Sequence, residues 1–271
     1  AMDWSLVLVS QGIETTIDPP ANELGWGLLV RNEDHPRAFE TIEKYRAENR
    51  GWHWPQQRIS PELLFDWTSA AWILLLAFCY WFSVENVNFQ EAGVFSSHAF
   101  ANGQWWRMFT AIMLHEDLKH LAGNCAFGLL LLGLTMGFYG TGIGLLAAFL
   151  AGAGGNFVAF FVYGKSHLGL GASGMVLGSL GLLAAQWFVL ARKNPRGGKL
   201  IFGGIFGALC LLVLFGFSPG TDVVAHVGGF LTGLLLGCGL AFVPAKWRRS
   251  PALNLAGGIF LAGLIVLCWN M

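Results

Sequence analysis

Seven stretches of this chain are long and apolar enough to be read as helices that cross a lipid bilayer: 66–85, 118–138, 142–163, 171–191, 200–217, 223–243 and 252–270. A bilayer core of about 30 Å needs about 20 such residues per crossing. No water reaches the backbone there, so each stretch must satisfy its own N–H and C=O groups as a helix. The composition points the same way. Hydrophobic residues make up 55 % and charged residues 12 %, against roughly 45–50 % and 25 % in soluble domains, and the mean hydropathy is +0.55. The 37 glycines recur at helical spacing inside the apolar runs, as in close-packed transmembrane helices. Zero net charge gives no electrostatic basis for a nucleic-acid partner; the expected surroundings are membrane lipid. Cys79, Cys125, Cys210, Cys238 and Cys268 all lie in apolar segments without CxxC spacing. They read as small hydrophobes rather than disulfides or metal ligands, and no metal or cofactor is expected.

The chain divides by character into residues 2–60, 61–247 and 248–271. The first part reads as a small soluble α+β domain. "WSLVLVS" and "GWGLLV" are short runs rich in apolar and β-prone residues, and "HPRAFETIEKYRAENR" has helical spacing with Phe39, Ile42 and Tyr45 on one face. Ala1 ahead of Met2 is set aside, and no cleavable leader is expected. Trp52 and Trp54 in the linker suit a membrane interface. The segment between the first two spans is too polar to cross and too aromatic for water, so it is expected in the interface. Arg192, Lys193, Arg196 and Lys199 lie between spans four and five, and Lys246, Arg248 and Arg249 between six and seven; "GFSPGTD" between five and six has no basic residue. The positive-inside rule puts the basic loops and the N-terminal domain in the cytoplasm. Spans four and six then start from the outer face, and the odd span count leaves the C-terminus outside.

Within these apolar spans a few polar residues stand out. Ser173 sits near the outer start of span four, and His226 near the outer start of span six, so two helices running the same way carry them at similar depth. A serine needs a base to become a nucleophile, and histidine is the usual one. Gly174 and Gly178 on span four and Gly229 and Gly233 on span six form two GxxxG pairs that allow close approach. Gly171, at the head of span four, is counted with these packing glycines. His120 and Asn124 are four residues apart on one face of span two. Both can donate hydrogen bonds to an oxyanion, and the Ser173 N–H at a helix start adds a donor. Singly, Ser173 also reads as a packing serine and His226 as a core histidine. His120 and Asn124 also read as an interhelical structural pair. Asp222, the only carboxylate after Asp117, lies one turn before His226 and reads as a helix N-cap. The catalytic unit is therefore read as a dyad.

GASG at 171–174, AHVGG at 225–229, and His115, His120 and Asn124 in the order H-x4-H-x3-N are similar to the motifs of rhomboid intramembrane serine proteases. "WWRMFT" at 105–110 resembles the family's Trp-Arg element. The resemblance covers roughly residues 65–245. It implies an all-α polytopic membrane protein with a six-helix core, here with one more C-terminal helix and a soluble α+β domain in front. It further implies a bacterial inner-membrane enzyme whose active site opens to the extracytoplasmic side. Ser173 would be the nucleophile and His226 the general base, with His120, Asn124 and the Ser173 amide stabilising the oxyanion. The substrates would be single-span membrane proteins, cut in or near the transmembrane segment, with small residues near the scissile bond and helix-destabilising ones beyond it. Trp106 and Arg107 would shape the first loop, or anchor at the interface. Two positions depart from the family. Met136 stands where many bacterial members brace the loop with a glutamate, and Leu177 stands where an aromatic ring often stacks on the catalytic histidine.

Three other readings compete. A catalytically silent relative would bind or escort membrane clients, although such relatives typically lack the serine or histidine. A transporter or channel would suit the interrupted helices, but carboxylates are nearly absent from the spans. A metalloprotease would need HExxH, and His115-Glu116 is followed by three residues before His120. Span five and the 216–222 loop are the expected gate.

Overall fold

A computed structural model describes residues 2–18, 26–49, 65–191, 197–216 and 221–271. Trp52, Trp54, Arg192, Lys193, Arg196 and residues 217–220 of the expected gate lie outside the described residues. The chain forms two compact units, Ala1–Ser60 and Pro61–Met271.

The first unit contains helix α1 (Met2–Ser10), strands β1 (Thr15–Asp18) and β2 (Gly27–Val30), and helix α2 (His35–Glu48). β1 and β2 pair antiparallel, with Thr15 opposite Val30 and Asp18 opposite Gly27. The β-prone run Trp4–Ser10 is helical, because this conformation buries Leu8 against Ile13 and Ala38, with Leu28, Val30 and Ile42 around them. Packing overrides propensity there. The buried face of α2 runs through Ala38 and Ile42, one i,i+4 step, and Phe39 is 62 % exposed. The helix expected over this run is present, but Phe39, on the side it shares with Ile42 and Tyr45, is not part of the core.

The second unit is helical. It begins with α3 (Ser69–Glu85), which meets the short α4 (Val87–Gly93) at a bend of 119°. The first loop continues through β3 (Phe95–Ser96), α5 (Ser97–Ala101), α6 (Arg107–Thr110) and a 3-10 turn at Ala111–Met113. Then come α7 (Leu118–Tyr139), α8 (Thr141–Tyr163), β4 (Leu168–Gly169), α9 (Ser173–Ala191), α10 (Gly197–Gly216), α11 (Val223–Ala241), α12 (Ala245–Arg248) and α13 (Pro251–Trp269). Among the described residues, α7, α8, α11 and α13 are each long and apolar enough to cross a membrane, and α3 with α4 makes a bent fifth. The main core joins Trp72 and Leu76 of α3, Leu132 and Tyr139 of α7, Phe149 of α8, Met175 and Leu182 of α9, and Leu261 of α13.

Lipid-facing helices gain little from apolar contact with one another, so backbone proximity has to hold the bundle. α9 and α11 show how. A Cβ added at Gly229 would fall 2.3 Å from the Gly174 carbonyl oxygen, and one at Gly233 2.0 Å from that of Gly178. On the neighbouring face of α11, a Cβ at Gly155 of α8 would lie 2.4 Å from the Ala225 oxygen. Any side chain at these points would push the helices apart. Polar contacts add to the far end of the bundle. The Tyr139 hydroxyl donates to the Leu182 carbonyl at 2.9 Å, and the Gln186 amide donates to that hydroxyl. The Arg248 guanidinium lies over the Tyr139 and Phe138 rings at 5.4 and 5.6 Å. Asn254 of α13 accepts from the Ile143 N–H at 3.1 Å, which ties α13 to the start of α8.

Candidate active site

Helix α9 begins at Ser173 itself, and α11 begins one residue after Asp222. Asp222 caps α11 by accepting from the Ala225 N–H at 2.9 Å. Its other oxygen lies 2.8 Å from His167 Nε2, as a partly buried ion pair whenever His167 is protonated. These two helix starts, drawn together by the glycine contacts, bring Ser173 Oγ within 2.7 Å of His226 Nε2. His226 is only 4 % exposed. With Nε2 unprotonated, the imidazole can accept the serine proton.

Gly171 is not a helix-packing residue, contrary to the sequence reading. It precedes α9, and its φ of +121° is one that L side chains rarely adopt. An added Cβ would fall 2.6 and 2.7 Å from His120 Cε1 and Nε2, and 3.7 Å from Asn124 Nδ2. The missing side chain therefore lets His120 and Asn124 close over the backbone leading into Ser173. Asn124 is 7 % exposed, and its Nδ2 has no hydrogen-bond partner among the described residues. A buried donor left open in this way is costly unless something comes to fill it. As the first residue of α9, Ser173 offers an N–H with no intrahelical acceptor. His120 and Asn124 thus lie against the backbone two residues ahead of Ser173.

The backbone before Ser173 is held by the first loop. The Gly171 N–H donates to the Ala111 carbonyl at 2.9 Å, and Ser97 N–H donates to the His167 carbonyl at 2.9 Å. The Ala172 N–H donates to His115 Nε2 at 3.4 Å. β3 pairs antiparallel with β4, Phe95 opposite Gly169 and Ser96 opposite Leu168. Burial, with the nearby His120 adding like-charge repulsion, pushes the His115 pKa down to about 3. His115 is therefore a neutral acceptor here rather than a catalytic acid.

Met136, at the position of the missing glutamate, is buried among apolar side chains and gives the loop no polar anchor. Other residues supply it. Arg107 donates through Nη1 to the Glu91 and Val94 carbonyls at 2.7 and 2.9 Å, and through Nε to the Gln104 side chain at 2.5 Å. The Thr110 hydroxyl donates to the Gly93 carbonyl at 2.7 Å, and Asn156 Nδ2 of α8 donates to the Met108 carbonyl at 2.8 Å. Sequence reasoning missed these contacts, as it did the His167–Asp222 pair. Arg107 was expected to shape the first loop, though not through these partners, and Asn156 carried a signal as a lone amide inside an apolar span. Among the described residues, no three His, Cys, Asp or Glu side chains converge as a metal-binding group.

Comparison with known proteins places this geometry in context. A sequence description of the Rhomboid domain matches residues 102–242, just over half of the 271 residues. "Rhomboid-like protease 3" of Toxoplasma gondii is 33 % identical over 141 residues, 52 % of this chain and 53 % of that protein. "Rhomboid protease AarA" of Providencia stuartii is 27 % identical over 187 residues, 61 % and 65 % of the two chains. "Rhomboid protease GluP" of Bacillus subtilis is 32 % identical over 147 residues, 54 % and 28 %. The chain thus spans between about a quarter and two thirds of the length of these relatives. The matched region contains all the residues gathered around Ser173, from Ala111 to His226. The chain is a multi-pass membrane protein and belongs to the rhomboid family.

Proposed function

We propose that this protein is an intramembrane serine endopeptidase that cuts single-span membrane proteins in or near their transmembrane segment. The observation that carries the reading is the 2.7 Å contact between Ser173 Oγ and His226 Nε2 beside the buried, open amide of Asn124. In the first step, His226 accepts the Ser173 proton while Oγ attacks the substrate carbonyl carbon. The carbonyl oxygen becomes an oxyanion and receives hydrogen bonds from Asn124 Nδ2, His120 and the Ser173 N–H. His226 then gives its proton to the leaving amine as the C–N bond breaks. A water molecule, deprotonated by His226, attacks the acyl-enzyme and restores Ser173. A substrate helix hides its carbonyls in i→i−4 bonds, so small and helix-destabilising residues around the cut favour attack.

The proposed setting is the cell inner membrane, with the N-terminal domain cytoplasmic and the site facing the extracytoplasmic side. The test is cleavage of a reporter single-span protein by the purified enzyme, beside Ser173→Ala and His226→Ala. Product from the parent and a loss of several orders of magnitude in either variant is the expected result. A parent that neither cleaves nor is labelled at Ser173 by a serine-reactive fluorophosphonate would leave the client-binding reading in its place.

A further inference from the structure

Helix α13 lies beyond the region that matches the rhomboid domain, yet its last turn reaches the first loop. The Trp269 ring stacks on Phe89 of α4, with centroids 4.0 Å apart and planes 5° from parallel. Phe89 also makes an edge contact to Phe82 of α3, with centroids 4.9 Å apart. Trp269 also closes over Gly93, where an added Cβ would lie 2.5 Å from the indole. Met108 and Phe109 of α6 pack with Leu264, Ile265 and Trp269 in the same apolar cluster.

Gly93 is where this apolar contact becomes a polar one. Its carbonyl accepts from the Thr110 hydroxyl. The next residue, Ala111, accepts from the N–H of Gly171, and Gly171 is the residue against which His120 and Asn124 rest. Four contacts in series therefore run from the last turn of α13 to His120 and Asn124. Each is either tightly packed or hydrogen-bonded, with no exposed side chain in the path. The opposite end of α13 is fixed independently, through Asn254 to Ile143, so the helix has a firm base from which to hold the loop.

We infer that α13 braces the first loop and that Trp269 is a positioning residue for the oxyanion donors, acting through Gly93, Thr110 and Ala111. This rests on the protease reading above. The experiment measures kcat and KM on a reporter single-span substrate with the purified full chain, each rate divided by the active sites titrated with a fluorophosphonate. Trp269→Ala is expected to lower kcat per titrated site by about tenfold, within the range that a small misplacement of catalytic groups produces, with KM little changed. Trp269→Phe, which keeps a stacking ring, should recover most of the rate. Ile259→Ala, on the exposed side of the same helix, should match the parent.

Combining Trp269→Ala with Thr110→Val should be no slower than the slower single variant, because both interrupt one path. Fewer titratable sites with an unchanged rate per site would make Trp269 a stabilising residue only, and overturn the inference. So would single effects that multiply, since Trp269 would then act by a route that avoids Gly93. A parent that cleaves while Trp269→Ala equals it removes this inference alone. A parent that neither cleaves nor labels removes the protease reading, and this inference with it.

Discussion

Gly171 is the residue on which the donors beside Ser173 converge, and it meets two constraints at once: a φ of +121° and a Cβ position already occupied by the His120 ring. Gly171→Ala should therefore displace His120 and strain the turn together. Fluorophosphonate labelling of Ser173 should slow by about a hundredfold, in protein that still purifies as a monodisperse species. Asn124→Ala removes a donor without removing the turn, so it should lower kcat by about 10²–10³ with KM nearly unchanged; a fall in KM-dependent rate alone would make Asn124 a binding residue. His115 gives a different signature. Its folded pKa of about 3 lies below the 6.5 of a free imidazole, so the unfolded chain takes up the proton first. The stability it supports is fully present above pH 6.5 and is lost as the pH falls from there toward 3, by at most about 1.4 kcal/mol per pH unit. Thermal unfolding measured from pH 7 to pH 4 should show this decline, and His115→Gln should flatten it.

At the scale of elements, the packing of α9 on α11 decides whether Ser173 and His226 can meet at all. Gly233→Val would place carbon within about 2 Å of the Gly178 carbonyl, and the two helices would have to part. Loss of both fluorophosphonate labelling and thermal stability is the expected result, while Gly239→Ala on the same helix, with nothing within 4 Å of its added Cβ, should change neither. This pair of helices was legible in the sequence because polar residues in apolar spans are rare enough to stand out, and because GxxxG pairs follow both Ser173 and His226. The brace around the first loop was not. Thr110 to Gly93, Gly171 to Ala111 and Arg107 to Glu91 and Val94 all use backbone carbonyls as acceptors, and a carbonyl has no residue type to read. Gly171 was misread for a related reason: a glycine in a helix contact and a glycine in a left-handed turn look alike in sequence, and only φ separates them. In the N-terminal unit, Val7 and Val9 suggested extended chain, whereas burial of Leu8 against Ile13 and Ala38 selects a helix.

For the whole molecule, the contacts sort the helix ends of the second unit into two groups. One group gathers at the first loop: the ends of α3 and α13, joined through Phe82, Phe89 and Trp269, and the starts of α9 and α11, joined through Ser173 and His226. The other gathers around Tyr139, Asn254 and Arg248, where α7 ends, α8 begins and α12 leads into α13. Among the described residues, Lys246, Arg248 and Arg249 give this second group a basic cluster. Arg248 is largely buried over its two aromatic rings, which leaves the remaining cations to act on orientation by the positive-inside rule. Seven apolar helices, α3, α7, α8, α9, α10, α11 and α13, separate the first unit from Asn270. If all seven cross, as the sequence reading expects, Glu48 and Asn270 lie on opposite sides of the membrane, with Asn270 on the side of Ser173. In a cysteine-free background, Asn270→Cys should react with a membrane-impermeant thiol reagent in intact cells, and Glu48→Cys only after lysis. Reaction of both in intact cells, or of neither, would mean an even number of crossings. At least one of the helices outside the four that are each long and apolar enough to cross, α3, α9 or α10, would then fail to cross.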